Sequence, residues 1–144
     1  MATVPREKSG AALLAERVAR VDLASRESRA RLASMLMRLF EHWELSLPEQ
    51  AELLGLSSAS RSTLARYRAG EPLAESRDLL DRAGHLLGIH KSLRLLFPHD
   101  RDLAYRWMTQ PNRRLGARPV DVVVRDGFEG LLAIRRYLDF QRGQ

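Results

Sequence analysis

Guanidinium groups are the chemistry this chain has most of. Toward the C-terminus stand Arg113, Arg114, Arg118, Arg125, Arg135, Arg136 and Arg142. A second group, Arg61, Arg66 and Arg68, sits among the hydroxyls Ser57, Ser58, Ser60, Ser62 and Thr63, with no acidic residue between Ser57 and Gly70. A planar guanidinium grips carboxylate or phosphate through paired N–H bonds, and arginine with serine and threonine suits phosphate and base-edge contact in a DNA major groove. The plainer account of either group is a charged face in water.

Covalent and metal chemistry have little to work with. There is no cysteine, which removes a disulfide framework, a thiolate metal site and a cysteine nucleophile. His42, His85, His90 and His99 are scattered, and the spacing of His85 and His90 does not put them on one helix face, so no metal site is expected. No glycine-rich phosphate loop, nucleophile elbow or paired-carboxylate motif appears. Asp121, Asp126 and Glu129 read as helix-end charges. The expectation is a protein without catalytic residues or cofactor, acting by binding.

Composition narrows the class. At 144 residues the chain suits one compact domain or two small modules sharing a core, and 44% hydrophobic content argues for a globular one. The apolar runs are too short to span a bilayer, and the run Ala11–Ala15 ends at Glu16, unlike a secretory signal. A cytoplasmic protein is expected. Of the net charge of +6, most is C-terminal: residues 91–144 carry eleven basic and six acidic side chains. A simple DNA-binding tail does not require that distribution.

The elements that must position these arginines are helices. Leu13, Leu14, Val18 and Val21 fit one helix face, which would form a lid over the next element or a dimerising arm. From Arg29 to Trp43, Leu32, Met35, Leu36, Leu39, Phe40 and Trp43 repeat at helical spacing and are expected in the core. Ser46, Pro48 and Glu49 announce a helix start, and Ala51, Gly55 and Leu56 have the small, turning and plugging character of a helix-turn-helix. The second helix of that unit, Ser60 to Gly70, turns Leu64 and Tyr67 inward and its arginines outward. It needs a longer turn than usual, because common spacing would bury Arg61; a plain three-helix packing unit is the alternative. A linking helix opening near Pro72 is expected to run to about Gly88 on Leu79, Leu80, Ala83, Leu86 and Leu87. A separate short helix, Ile89 to Phe97, follows. Asp100 to Thr109 carries Trp107, and Pro119 to Val124 is short and helical, its β-branched run notwithstanding. Gly127-Phe-Glu-Gly breaks the chain before a terminal helix with Leu131, Leu132, Ile134, Arg135 and Leu138 on its inner face.

Between Trp107 and Pro119 the chain reads WMTQPNRRLGARP. Its Trp107, Pro111, Asn112, Leu115, Gly116, Arg118 and Pro119, with Gly127 beyond, resemble the C-terminal toxin-binding module of the Xre/MbcA/ParS antitoxins. Ser76, Arg77, Leu80 and Arg82 resemble that family's linking helix, and the likeness covers about Ser46 to Gly143. It implies that the C-terminal module grips a RES-domain toxin, an enzyme that consumes NAD, and that the antitoxin's end covers the substrate pocket. An arginine-bearing tail would suit a pocket built for the pyrophosphate of NAD.

The sequence is therefore read as all-α: an N-terminal arm, partly helical, over residues 1–28, a helix-turn-helix-like module with its linking helix over 29–90, and a small helical toxin-binding module over 91–144. DNA contact is assigned to Ser58, Ser60, Arg61, Ser62, Thr63, Arg66 and Arg68. Toxin contact is assigned to Arg113, Arg114, Arg118, Arg135, Arg136, Tyr137, Phe140 and Arg142. The partners implied are a RES-domain toxin and operator DNA, in a homodimer or a toxin–antitoxin hetero-oligomer, with no membrane. Autorepression of its own promoter goes with this reading. The competing function is a free-standing transcriptional regulator whose C-terminal module serves only dimerisation.

Overall fold

The computed structural model describes residues 9–11, 25–57 and 60–143. The expected helix over Leu13–Val21 lies outside them. The described elements are α1 (Arg26–His42), α2 (Leu47–Leu53), α3 (Arg61–Arg68), α4 (Arg77–Leu96), α5 (Arg101–Arg106) with a 3-10 turn at Trp107–Thr109, α6 (Pro119–Asp126) and α7 (Phe128–Arg142). Among the described residues there is no strand, only an isolated bridge between Asn112 and Ala117. No helix there is long and apolar enough to cross a membrane.

α1 is the scaffold of the first half. The Ser25 hydroxyl accepts from the Ser28 N–H at 3.1 Å, and Ala33, Leu36, Met37, Leu39 and Phe40 are buried. The expected stripe is off by part of a turn: Met35 is 50% exposed, and Met37 is buried in its stead. α1 packs against both α3 and α4, so its buried arc turns toward Ala33 and Met37. Spacing alone cannot place the edge of such an arc.

α4 differs more from expectation. Pro72 does not open it. Residues 71–76 are held outside the helix because Leu73 is fully buried, with its N–H bonded to the Arg29 carbonyl at 3.2 Å and its own carbonyl taking the Arg29 Nη1 at 2.8 Å. The cap is Ser76, which accepts from the Leu79 N–H at 3.3 Å. The helix then runs unbroken through Gly88 to Leu96, so the two helices expected here are one. An isolated glycine is a weak helix breaker, and this one has a packing use described below. The position between residues 90 and 91 lies inside α4, which therefore serves both halves.

The second half is built on α4. α7 runs alongside it in the same direction: Arg82 meets Phe128, Gly88 meets Arg135 and Ser92 meets Arg142. α6 crosses under the start of α7, where a β-carbon on Gly130 would strike the Val122 carbonyl. Gly127, at φ 64°, alone makes the corner; Glu129 and Gly130 are already helical. Val120, Val123, Leu131, Ile134, Leu138 and Met108 close this core, and Leu132 is half-buried.

Candidate functional site

Two surfaces carry the chain's unspent chemistry. The first is the unit α2–turn–α3. Ser46 and Glu49 form a reciprocal capping box: the Glu49 N–H donates to the Ser46 Oγ at 3.2 Å, and the Ser46 N–H to the Glu49 Oε1 at 2.9 Å. Gly55 makes the turn at φ 68°, a conformation that costs glycine nothing. The Leu56 N–H then bonds back to the Ala51 carbonyl at 2.8 Å. α3 turns Leu64 and Tyr67 inward, as their spacing predicts.

Of the residues assigned to DNA contact, Ser58 lies outside the described residues. Ser60 faces inward, 7% exposed, with its hydroxyl 3.3 Å from that of Ser57. Arg66 spans the Thr63 hydroxyl at 3.3 Å and the Glu71 carboxylate at 3.6 Å, both exposed contacts of small energy. Arg61, Ser62 and Arg68 are exposed, and neither of these arginines has a carboxylate at ion-pairing distance among the described residues.

The second surface is the face of α7 with the turn before α6. Asn112 organises that turn: its Oδ1 accepts from the N–H of Arg114 at 3.0 Å and of Leu115 at 3.2 Å. This local bonding suits asparagine at a turn start, and Gly116 at φ 71° completes it. Trp107 is half-buried and stacks on Tyr137, with ring centroids 6.1 Å apart. The seven C-terminal arginines then divide. Arg118 is spent internally, bonded to Asp121 at 2.8 Å through two nitrogens and to Glu49 at 3.0 Å. These hydrogen bonds hold the Asp121 carboxyl below its ordinary range, against burial that pushes it up. Arg125 is paired with Asp126 at 2.9 Å. Arg135 lies between α7 and α4, and Arg142 reaches the buried Ser92 hydroxyl at 3.3 Å. Arg113, Arg114 and Arg136 are exposed, and Phe140 is 63% exposed on the last turn of α7.

The histidines are less scattered than their spacing implied. His42 of α1 and His90 of α4 both stack on Tyr105 of α5, with centroids 4.4 and 5.8 Å away and planes within 9° and 4°. Burial, then Arg94 and His42, push the His90 pKa down. Sequence spacing could not reveal this group, because three separate helices supply it. No cluster of three metal-binding side chains occurs among the described residues.

With this geometry in view, comparison with known proteins gives consistent results. Residues 22–88 match the family described as antitoxin Xre-like helix-turn-helix domain. Residues 92–143 match the antitoxin Xre/MbcA/ParS C-terminal toxin-binding domain. The chain is 36% identical over 108 residues to the uncharacterized protein y4oB of Sinorhizobium fredii (strain NBRC 101917 / NGR234), covering 74% of this chain and 80% of that protein.

Proposed function

Since this chain belongs to the Xre/MbcA/ParS antitoxins, with their helix-turn-helix domain followed by their toxin-binding domain, we propose that it neutralises a RES-domain toxin by laying the end of α7 over that enzyme's NAD pocket. One observation carries the reading. Phe140 is left 63% exposed on the last turn of a helix that buries Leu131, Ile134 and Leu138. An exposed aromatic one turn beyond an exposed arginine, Arg136, is the kind of residue that anchors an interface. Arg113, Arg114 and Arg136 are exposed, with no carboxylate at ion-pairing distance among the described residues, and would pair with carboxylates on the toxin's surface around the pocket. Tyr137 contributes through the side it does not press on Trp107. Titrating the purified toxin with the chain should abolish NAD consumption; undiminished turnover at excess antitoxin would refute the reading.

α3 is the matching candidate for operator DNA, in an assembly that represses its own promoter. Arg61, Arg66 and Arg68 would contact phosphates, with Ser62 and Thr63 beside them. A single copy offers few cations, and phosphate neutralisation supplies most non-specific affinity, so paired half-sites are expected. Replacing the three arginines together by alanine should weaken promoter binding and flatten its salt dependence while leaving toxin inhibition intact. An unaltered anisotropy titration would place the DNA contact elsewhere.

A further inference from the structure

We propose that Arg135 is the positioning residue of α7, seating it in one register on α4 through the slot that Gly88 leaves open, rather than a residue that touches the toxin. The inference rests on the reading of α7 as the toxin-binding helix. Three side chains of α7 spaced seven residues apart, Phe128, Arg135 and Arg142, form one stripe along α4. Phe128 takes the Arg82 guanidinium 5.6 Å above its ring and meets the edge of His85, also at 5.6 Å. Arg142 bonds to Ser92. Between them Arg135 lays its guanidinium against the backbone of Gly88, where a β-carbon would displace Nη1 and Cζ and push the end of that side chain out of the slot.

The guanidinium in that slot is a packing element. Its Nη1 lies 3.4 Å from the His85 Nδ1, and its buried Nε makes no hydrogen bond, the nearest carboxylate being Asp139 Oδ1 at 4.0 Å. The side chain is two-thirds buried, and its rigid plate fills the space a glycine leaves. Sliding α7 along α4 would break all three contacts of the stripe together. The register decides where Arg136 and Phe140 project, because they leave α7 on the side away from α4. It also fixes Tyr137, two residues on, against Trp107.

The test compares Gly88→Ala, Arg135→Ala, their double variant and Arg136→Ala in the full chain. Alanine is the better helix former, so Gly88→Ala carries no helix penalty of its own and any loss comes from the slot. Inhibition of the toxin's NAD consumption is one readout. The other needs no toxin: the indole N–H resonances of Trp107, which stacks on α7, and of Trp43, which is buried against the N-terminal core. Gly88→Ala should weaken inhibition by about tenfold, the scale of coupling between residues in contact, and should move the Trp107 resonance while leaving that of Trp43. The double variant, in which the new methyl occupies the vacated slot, should recover both readouts to those of Arg135→Ala, itself mildly impaired. Arg136→Ala should weaken inhibition without moving Trp107. The proposal is overturned if Gly88→Ala matches the parent in both readouts, or if the double variant is as poor as the two losses combined. Should the parent chain itself fail to inhibit, the toxin reading is lost and the Trp107 resonance alone decides the register.

Discussion

Arg118 and Glu49, 69 residues apart, are joined at 3.0 Å, and the same Glu49 carboxylate caps the first helix of the helix-turn-helix through Ser46. One acidic side chain thus ties the N-terminus of α2 to the entrance of α6. The halves that match the family's two domains are stitched where the chain re-enters helix at Pro119. The capping box and the arginine need no competition, because Ser46 uses Oε1 and Arg118 uses Oε2.

Replacing Arg118 by alanine should cost about 1 kcal/mol, since the group is partly exposed and water screens it. The thermal midpoint should fall by a few degrees, with the deficit shrinking in high salt. The same variant should lose an acid-sensitive contribution. Asp121 has its folded pKa held below the ordinary 3.8 by hydrogen bonding to Arg118, so its stabilisation is present above that value and disappears as pH falls through the folded one. Melts at neutral and strongly acidic pH check both; a midpoint indifferent to the substitution would show the bridge to be idle.

His90 makes the opposite end of the pH range informative. Its folded pKa lies below the ordinary 6.5 through burial, then Arg94, then His42. The unfolded chain therefore takes up the proton first as pH falls. The contribution of His90 is whole above about 6.5 and is lost progressively below it. Arg38, His42 and Tyr105 line the same groove, and Glu44 and Asp102 line the adjoining one with His42 and Tyr105. A His90→Asn variant should show a flatter dependence of midpoint on pH between about 5 and 7.5 than the parent. Parallel curves would assign the acid sensitivity to other groups.

Trp107 and Met108 should separate by burial. Trp107 is half-buried and stacked on Tyr137, whereas Met108 is fully buried. Met108→Ala should then cost about 2–5 kcal/mol, as for other buried methionines. Trp107→Ala should cost less, about 1–3 kcal/mol, because its ring keeps one side in water. Chemical denaturation measures both; a larger loss at Trp107 would mean that the stack with Tyr137 carries the C-terminal half.

Sequence patterning located helices well and their surroundings less well. The capping box at Ser46, the turn at Gly55, the inward Leu64 and Tyr67 and the corner at Gly127 were legible because each depends on local chemistry within one turn of helix. The extent of α4 was not, because Gly88 looks like a break until Arg135 is seen lying on it. The arginines were the least legible of all. Their types announced an anion-binding face, but only tertiary contact shows Arg118 spent on Asp121 and Glu49, Arg135 seated on α4 and Arg142 tied to Ser92. Ser60 likewise has a type that suits DNA contact, and only the fold shows it buried.

The most direct measurement is NAD consumption by the toxin reconstituted with an antitoxin truncated after Asp139. The cut removes Phe140 and Arg142, and with Arg142 the contact to Ser92, but leaves the buried Leu131, Ile134 and Leu138 and the Arg135–Gly88 seat in place, so the fold should survive. The complex should persist as well, because few residues carry a whole interface. If the end of α7 covers the pocket, the truncated protein should still co-purify with the toxin while NAD consumption returns. Complete inhibition by the truncated protein would contradict the account and place the block elsewhere on the antitoxin.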